Sequence, residues 1–221
     1  MAEKEAGNSR PKGFWKGLWY LLWKDDSFKG WLFSIIFLFL FIKFIFFPGL
    51  SLVTGTQLPL AIVESCSMYH KNNLFSDFQT WWVGHDQKYA QFSINGTEFA
   101  TFPMKNGFNK GDIIFITGAR PENIKVGDII VYNTGINPSP IIHRVIDIRQ
   151  ENGSYVFSTI GDNNWEQFSA NQSIYVNPTK IDEINIDSDQ IVGVARLKIA
   201  PYLGWVKLIF YGLNGGLCRE S

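Results

Sequence analysis

A chain of 221 residues has room for one domain of moderate size plus appendages. Its 20 basic and 20 acidic residues cancel, which argues against nucleic acid or another polyanion as its partner. Aromatic residues make up 16% of the sequence, and Trp and Phe crowd into its beginning.

Residues 14–24, FWKGLWYLLWK, carry Trp and Leu at helical spacing with lysines between them, the pattern of an amphipathic helix lying on a membrane surface. KDDS follows, and Asp25, Asp26 or Ser27 can cap the next helix. Residues 31–50, WLFSIIFLFLFIKFIFFPGL, form an apolar run with one charge. A helix of about 20 residues covers ~30 Å, the thickness of a bilayer core. Phe and Ile on every face argue for a membrane span over a soluble core helix. Pro48-Gly49 is expected to end it, and Lys43 to snorkel outward. A cleavable signal peptide fits poorly, because the run starts late, is too long and lacks a nearby A-x-A site. Lys4, Arg10, Lys12, Lys16, Lys24 and Lys29 outnumber four acidic residues in segment 1–30. The positive-inside rule then places 1–30 in the cytoplasm and 51–221 outside the cell membrane.

The stretch AIVESCSMYHKNN, residues 61–73, comes directly after the span and holds Ser65-Cys66-Ser67-Met68. Cys66 and Cys218 lie too far apart to be paired from sequence and have no CxxC spacing, so they read as two free thiols. His70, His85 and His143 show no metal-ligand spacing, and no metal site is expected. Residues 70–109 are polar and aromatic with weak periodicity, an inserted lobe or a lid.

Beyond them the pattern turns to short β-branched runs between turn residues: GDIIFITG (111–118), GDIIVYN (127–133), IIHRVIDIR (141–149), YVFSTIG (155–161) and QIVGVARLKI (190–199). The expected fold is mainly β, a barrel-like domain over 51–221. The apolar stretch 199–214 is short for a span and reads as a strand end plus an interfacial helix. Three N-x-[ST] sequons, at Asn95, Asn152 and Asn171, all fall in the exterior portion.

A serine nucleophile needs a base and a group that orients the base. His143 is the one histidine in a strand-like run, where the backbone holds it rigidly. Asp162 follows Gly161 at the end of the next run, and QENGS between the two runs is a hairpin-type connection. His143 and Asp162 are therefore expected near the same end of a paired hairpin.

SCSM after a single span, then two GDII strands, IIHRVI and GDNN in that order, resemble signal peptidase I over essentially the whole chain. A histidine at this place matches the archaeal and endoplasmic-reticulum type. The resemblance implies Ser67 as nucleophile, His143 as general base and Asp162 as the acid that orients it. It also implies that the Ser65 hydroxyl joins the Ser67 N–H in the oxyanion hole, with Met68 an apolar prop beneath. The implied reaction is cleavage of secretory preproteins after a small-x-small sequence, with no metal or cofactor. Preproteins and membrane lipid are the implied partners, the protein translocon a further candidate, and nucleic acid none. Two departures stand out. A second aspartate, common about six residues after the first, is Phe168 here, leaving that role lost, moved or filled from elsewhere, with Glu166 nearby as a secondary acid. The usual glycine between the serines is Cys66. A catalytically dead paralogue that binds preproteins is the alternative, and an envelope β-domain a third reading; the presence of Ser67, His143 and Asp162 together weighs against both.

Overall fold

The computed structural model describes residues 13–71, 78–135, 139–173, 177, 180–210 and 218–219. Lys4, Arg10 and Lys12, part of the charge bias above, lie outside them, as do residues 211–214 of the C-terminal apolar stretch. The chain divides into two compact units, Met1–Leu52 and Val53–Ser221.

In the first unit, helix α1 (Phe14–Trp23) buries none of its residues. Ser27 caps the next helix by accepting the Gly30 N–H at 3.1 Å. That helix, α2, runs from Phe28 to Thr54, 27 residues long and apolar enough to cross a membrane. It does not stop at Pro48-Gly49 as expected. A proline has no N–H to donate, and its ring crowds the carbonyl four residues back. Here Ile42–Phe46 is π-helical and the Phe47 N–H reaches back to the Ile42 carbonyl. The widened turn just ahead of Pro48 lets the helix continue through Phe47–Thr54.

The second unit is built on one antiparallel sheet that curls into a half-barrel. Its strands are β1 (Leu60–Ile62), β2 (Ile113–Thr117), β3 (Ile129–Tyr132), β4 (Ile141–Glu151), β5 (Ser154–Ile160), β6 (Ile186–Asp187) and β7 (Ile191–Ala200), in spatial order β1-β2-β7-β3-β4-β5-β6. β3 lies at the centre and is buried along its whole length. Its alternate residues serve different cores: Ile129 and Val131 join Met68, Phe108 and Ile114, whereas Ile130 and Tyr132 join Val145, Phe157 and Ile186. β1 and β6 are the edges.

Residues 78–102 form a lobe. Three short helices (Phe78–Val83, Asp86–Ala90 and Gly96–Phe99) gather Trp81, Tyr89 and Phe99 into an aromatic core on Ile146 of β4 and Ile160 of β5. The β4–β5 register shifts between Val145 and Asp147, a bulge that accompanies this use of Ile146. After β7 ends at Ala200, the helix Trp205–Phe210 buries Leu208 and exposes Val206, Ile209 and Phe210.

Candidate active site

Beyond β1 the chain is pinned by a pair of backbone bonds, Val63 N–H to the Asp112 carbonyl at 2.9 Å and Gly111 N–H to the Val63 carbonyl at 2.8 Å. The next residues turn, leaving Ser65 exposed and Ser67 half-buried, with their hydroxyl oxygens 3.1 Å apart. Met68 is 2% exposed and packs in the core beneath, as expected of a prop. Its sulfur accepts the Asp162 N–H at 3.4 Å, and its carbonyl accepts the Phe108 N–H at 2.7 Å. Gly107, at φ +65°, passes so close to the Met68 carbonyl and the His70 ring that no side chain fits there.

Cys66 and Cys218 form a disulfide with their Cα atoms 5.4 Å apart, which corrects the expectation of two free thiols. The pairing depends on tertiary contacts that bring segments 152 residues apart together, and no local pattern encodes it.

His143 is 6% exposed and its Nδ1 lies 2.5 Å from Oε1 of Glu183, a residue with no exposed surface. Neither atom has another partner among the described residues. The Glu183 backbone is held by two strand-like bonds, its carbonyl accepting the Thr159 N–H at 2.7 Å and its N–H donating to the Phe168 carbonyl at 2.8 Å. Its second carboxylate oxygen accepts the Phe168 N–H at 2.6 Å. The acid thus arrives from a distant segment at the place where Phe168 brings none.

Asp162 does not meet His143, contrary to expectation. Side chains alternate across a strand, so the neighbours His143 and Arg144 point to opposite faces of β4. Arg144 sits opposite Ile160, two residues before Asp162, and it is Arg144 that takes the aspartate. Oδ1 accepts from Arg144 Nε at 2.9 Å and the Tyr89 hydroxyl at 2.8 Å; Oδ2 accepts from Arg144 Nη2 at 2.6 Å and His70 Nε2 at 2.9 Å. Arg144 also donates to the carbonyls of Pro103, Met104 and Gly127. Lys88 Nζ donates to the carbonyls of Gly161 and Asp162 at 2.8 and 2.9 Å. This buried hub fastens the lobe to β4 and β5, and through the Asn163 N–H, bonded to the Ser67 carbonyl at 2.7 Å, it supports the turn at Ser65–Met68.

Burial alone would raise the Asp162 carboxyl, but the Arg144 guanidinium and the His70 and Arg144 hydrogen bonds more than reverse that, holding it well below the usual carboxylate range. Burial lowers the His70 imidazole, partly offset by Asp162, and the ring lies stacked on Trp81 with centroids 3.6 Å apart. Burial also brings the Lys88 ammonium down to about 8, against the pull of Asp162.

Ser65, Ser67, His143 and Glu183 line one cleft of about 570 Å³. Its apolar wall includes Leu60, Ile62, Ile141, Ile142 and Phe168, with β1 along one side. Asp162 and Glu166 are not in the lining; Glu166 points to solvent. Among the described residues no cluster of His, Cys, Asp and Glu could hold a metal. The cleft therefore combines a hydroxyl pair, an imidazole backed by a carboxylate, and a sheet edge. Sequence reasoning reached Ser65, Ser67 and His143 but neither the β1 edge nor Glu183, whose only advance signal was the missing acid at Phe168.

No family model matches the chain. Named relatives do. The chain is 30% identical over 175 residues to the signal peptidase complex catalytic subunit SEC11 of Eremothecium gossypii, covering 79% of this chain and 78% of that protein. It is 31% identical over 125 residues to SEC11 of Scheffersomyces stipitis, covering 53% of this chain and 70% of that one. With the catalytic subunit SEC11C of Homo sapiens it shares 34% identity over 107 residues, 48% of this chain. The chain spans about half the length (52%) of the mammalian relatives it matches.

Proposed function

Because the chain belongs to the family of signal peptidase catalytic subunits, we propose that it is a membrane-anchored serine endopeptidase that removes signal peptides from secretory preproteins, cutting after a small-x-small sequence. The observation that carries this reading is the shared cleft: Ser67 and His143 line it together, and His143 is backed at 2.5 Å by a buried carboxylate.

Ser67 Oγ attacks the scissile carbonyl while His143 Nε2 takes its proton. Glu183, on Nδ1, fixes the ring's orientation and stabilises the imidazolium as it forms. The Ser67 N–H and the Ser65 hydroxyl, 3.1 Å from Ser67 Oγ, receive the oxyanion. His143 then protonates the departing amine, and water hydrolyses the acyl-serine. The carboxylate role first read onto Asp162 passes to Glu183, and Asp162 keeps the nucleophile turn in place.

The substrate would enter extended, adding to edge strand β1, whose outer side carries no strand among the described residues. Leu60, Ile62, Ile142 and Phe168 all line the cleft, an apolar surface for the small side chains of the site. α2 supplies the anchor, with the N-terminus cytoplasmic and the catalytic unit outside. An oxidised Cys66–Cys218 pair is in keeping with that exterior placement. Preproteins and lipid are then the working partners, with the translocon as a docking candidate.

The test is cleavage of a preprotein with an A-x-A site in proteoliposomes, comparing wild type with Ser67→Ala. Cleavage after the small residue is expected from wild type and none from the variant. A folded wild type inert toward several preproteins, or a variant as active as wild type, defeats the proposal.

A further inference from the structure

The nucleophile turn is gripped from two directions. On one side, the Asn163 N–H holds the Ser67 carbonyl at 2.7 Å, and Gly161 passes so near that a Cβ there would sit 2.7 Å from the same oxygen. On the other, the C-terminal tail is bonded covalently to Cys66, the residue between the two serines. Asn163 joins both grips, since its side-chain amide donates to the Cys66 carbonyl at 3.1 Å and to the Arg219 carbonyl at 2.9 Å. Residue 66 is therefore fixed at its sulfur and its carbonyl, one peptide unit from Ser67. Within the turn, the Tyr69 N–H donates to the Cys66 carbonyl at 3.1 Å, and the Ser65 and Ser67 hydroxyls lie 3.1 Å apart.

We propose that the Cys66–Cys218 disulfide is a positioning element of the active site, so that turnover depends on its oxidation. This rests on Ser67 being the nucleophile. A staple serving stability alone has no need to end beside the attacking hydroxyl. Here the bond sets where the backbone of residue 66 lies, and with it the direction of Ser67 Oγ and the spacing to Ser65. Displacements of about 1 Å in such a geometry cost on the order of a hundredfold in rate. Both cysteines are half-buried, so a small thiol can reach them. A dithiol reductant breaks the S–S bond by exchange: two electrons and two protons pass to Cys66 and Cys218, leaving two thiols, and the reductant becomes a disulfide. Forming the bond needs the reverse partner, a disulfide-donating oxidant, and needs residues 66 and 218 on the same oxidising side of the membrane. A chain whose catalytic unit remains in a reducing compartment would stay largely idle.

The experiment uses the full chain in detergent, with the 66–218 linkage established by non-reducing peptide mapping. Wild type is assayed oxidised, reduced with a dithiol and reoxidised, beside Cys218→Ser, which leaves the turn's own residues intact. Amide hydrogen exchange is followed at residues 65–69 and, as a control, in β3. Reduction and Cys218→Ser are each expected to lower kcat about tenfold to a hundredfold, with KM within about twofold. Exchange should speed up at 65–69 and not in β3, reoxidation should restore wild type, and the variant should ignore the dithiol. Equal kcat with unchanged exchange at 65–69 overturns the proposal, as does mapping that finds two free thiols. Faster exchange in β3 as well would make the bond a global staple and overturn it too. If oxidised wild type cleaves nothing, the peptidase reading fails by itself, and the exchange comparison still decides whether the bond positions the turn.

Discussion

His143 and Arg144 are neighbours on one strand, and the alternation of side chains sends them to different acids, Glu183 and Asp162. The two carboxylates should therefore fail in different ways when neutralised. Glu183→Gln leaves the buried hub untouched and is expected to lower kcat by about 10²–10⁴, as loss of the acid does in Ser-His-Asp sites, with little change in Tm. Asp162→Asn leaves Arg144 buried opposite a neutral group, and breaking such a pair costs about 3–5 kcal/mol. Its signature is a lowered Tm before any kinetic change. Parallel melts and initial rates for the two variants check this; full activity in Glu183→Gln would remove the acid role from Glu183. The sequence carried Ser65, Ser67 and His143 on short, ordered motifs. It did not carry the acid, because hairpin reasoning placed residue 162 at the right strand end without counting which face it shares. Glu183 lies in KIDEINID beside Asp182 and Asp187, and what distinguishes it from them is tertiary: its burial, its backbone bonds to Thr159 and Phe168, and its contact with His143.

Among the elements, the strands were legible because alternation of β-branched residues is a local signal, and β2, β3, β4, β5 and β7 fall where it placed them. The end of α2 was not, since a proline usually stops a helix and the π-helical segment that absorbs this one has no sequence mark. The lobe was illegible for another reason. Its helices are four to six residues long, too short to show a helical period, and their order comes from aromatic packing. Phe99 is the centre of that packing: fully buried, it meets Phe78, Trp81, Trp82, Tyr89 and Phe102, with the Arg144 guanidinium over its ring at 4.8 Å. Phe99→Ala should cost about 3–5 kcal/mol, read as a drop in Tm of the full chain in detergent. Because Arg144 and Tyr89 are also ligands of Asp162, the loosened lobe should become the first site of proteolytic nicking. A variant as stable and as resistant as wild type would mean that the lobe is not anchored through this ring.

For the whole second unit, Val53–Ser221, the hub of His70, Arg144 and Asp162 ties stability to pH, and the sign follows from both shifts. His70 has a folded-state value below its ordinary one, so between the two the unfolded chain binds a proton that the folded chain refuses. Stability is then complete above about 6.5, the ordinary histidine value, and falls as pH drops below it. Asp162 is held well below its ordinary range by Arg144 after burial is overcome, so its contribution is present above about 3.9 and is lost as pH falls further. Acid should therefore weaken the protein in two stages, a gentle one from about pH 6.5 and a steep one below about pH 4. Thermal melts of the full chain in detergent between pH 7.5 and 3.5 measure both. His70→Gln, which keeps a donor toward Asp162 but cannot take up a proton, should flatten the first stage and leave the second. A Tm constant from pH 7.5 to 5 in wild type, or an unchanged first stage in the variant, would show that His70 does not set the upper limb. The two stages also separate stability from chemistry: a fall in turnover at pH 6 that His70→Gln does not relieve does not come from the His70 limb of the stability curve.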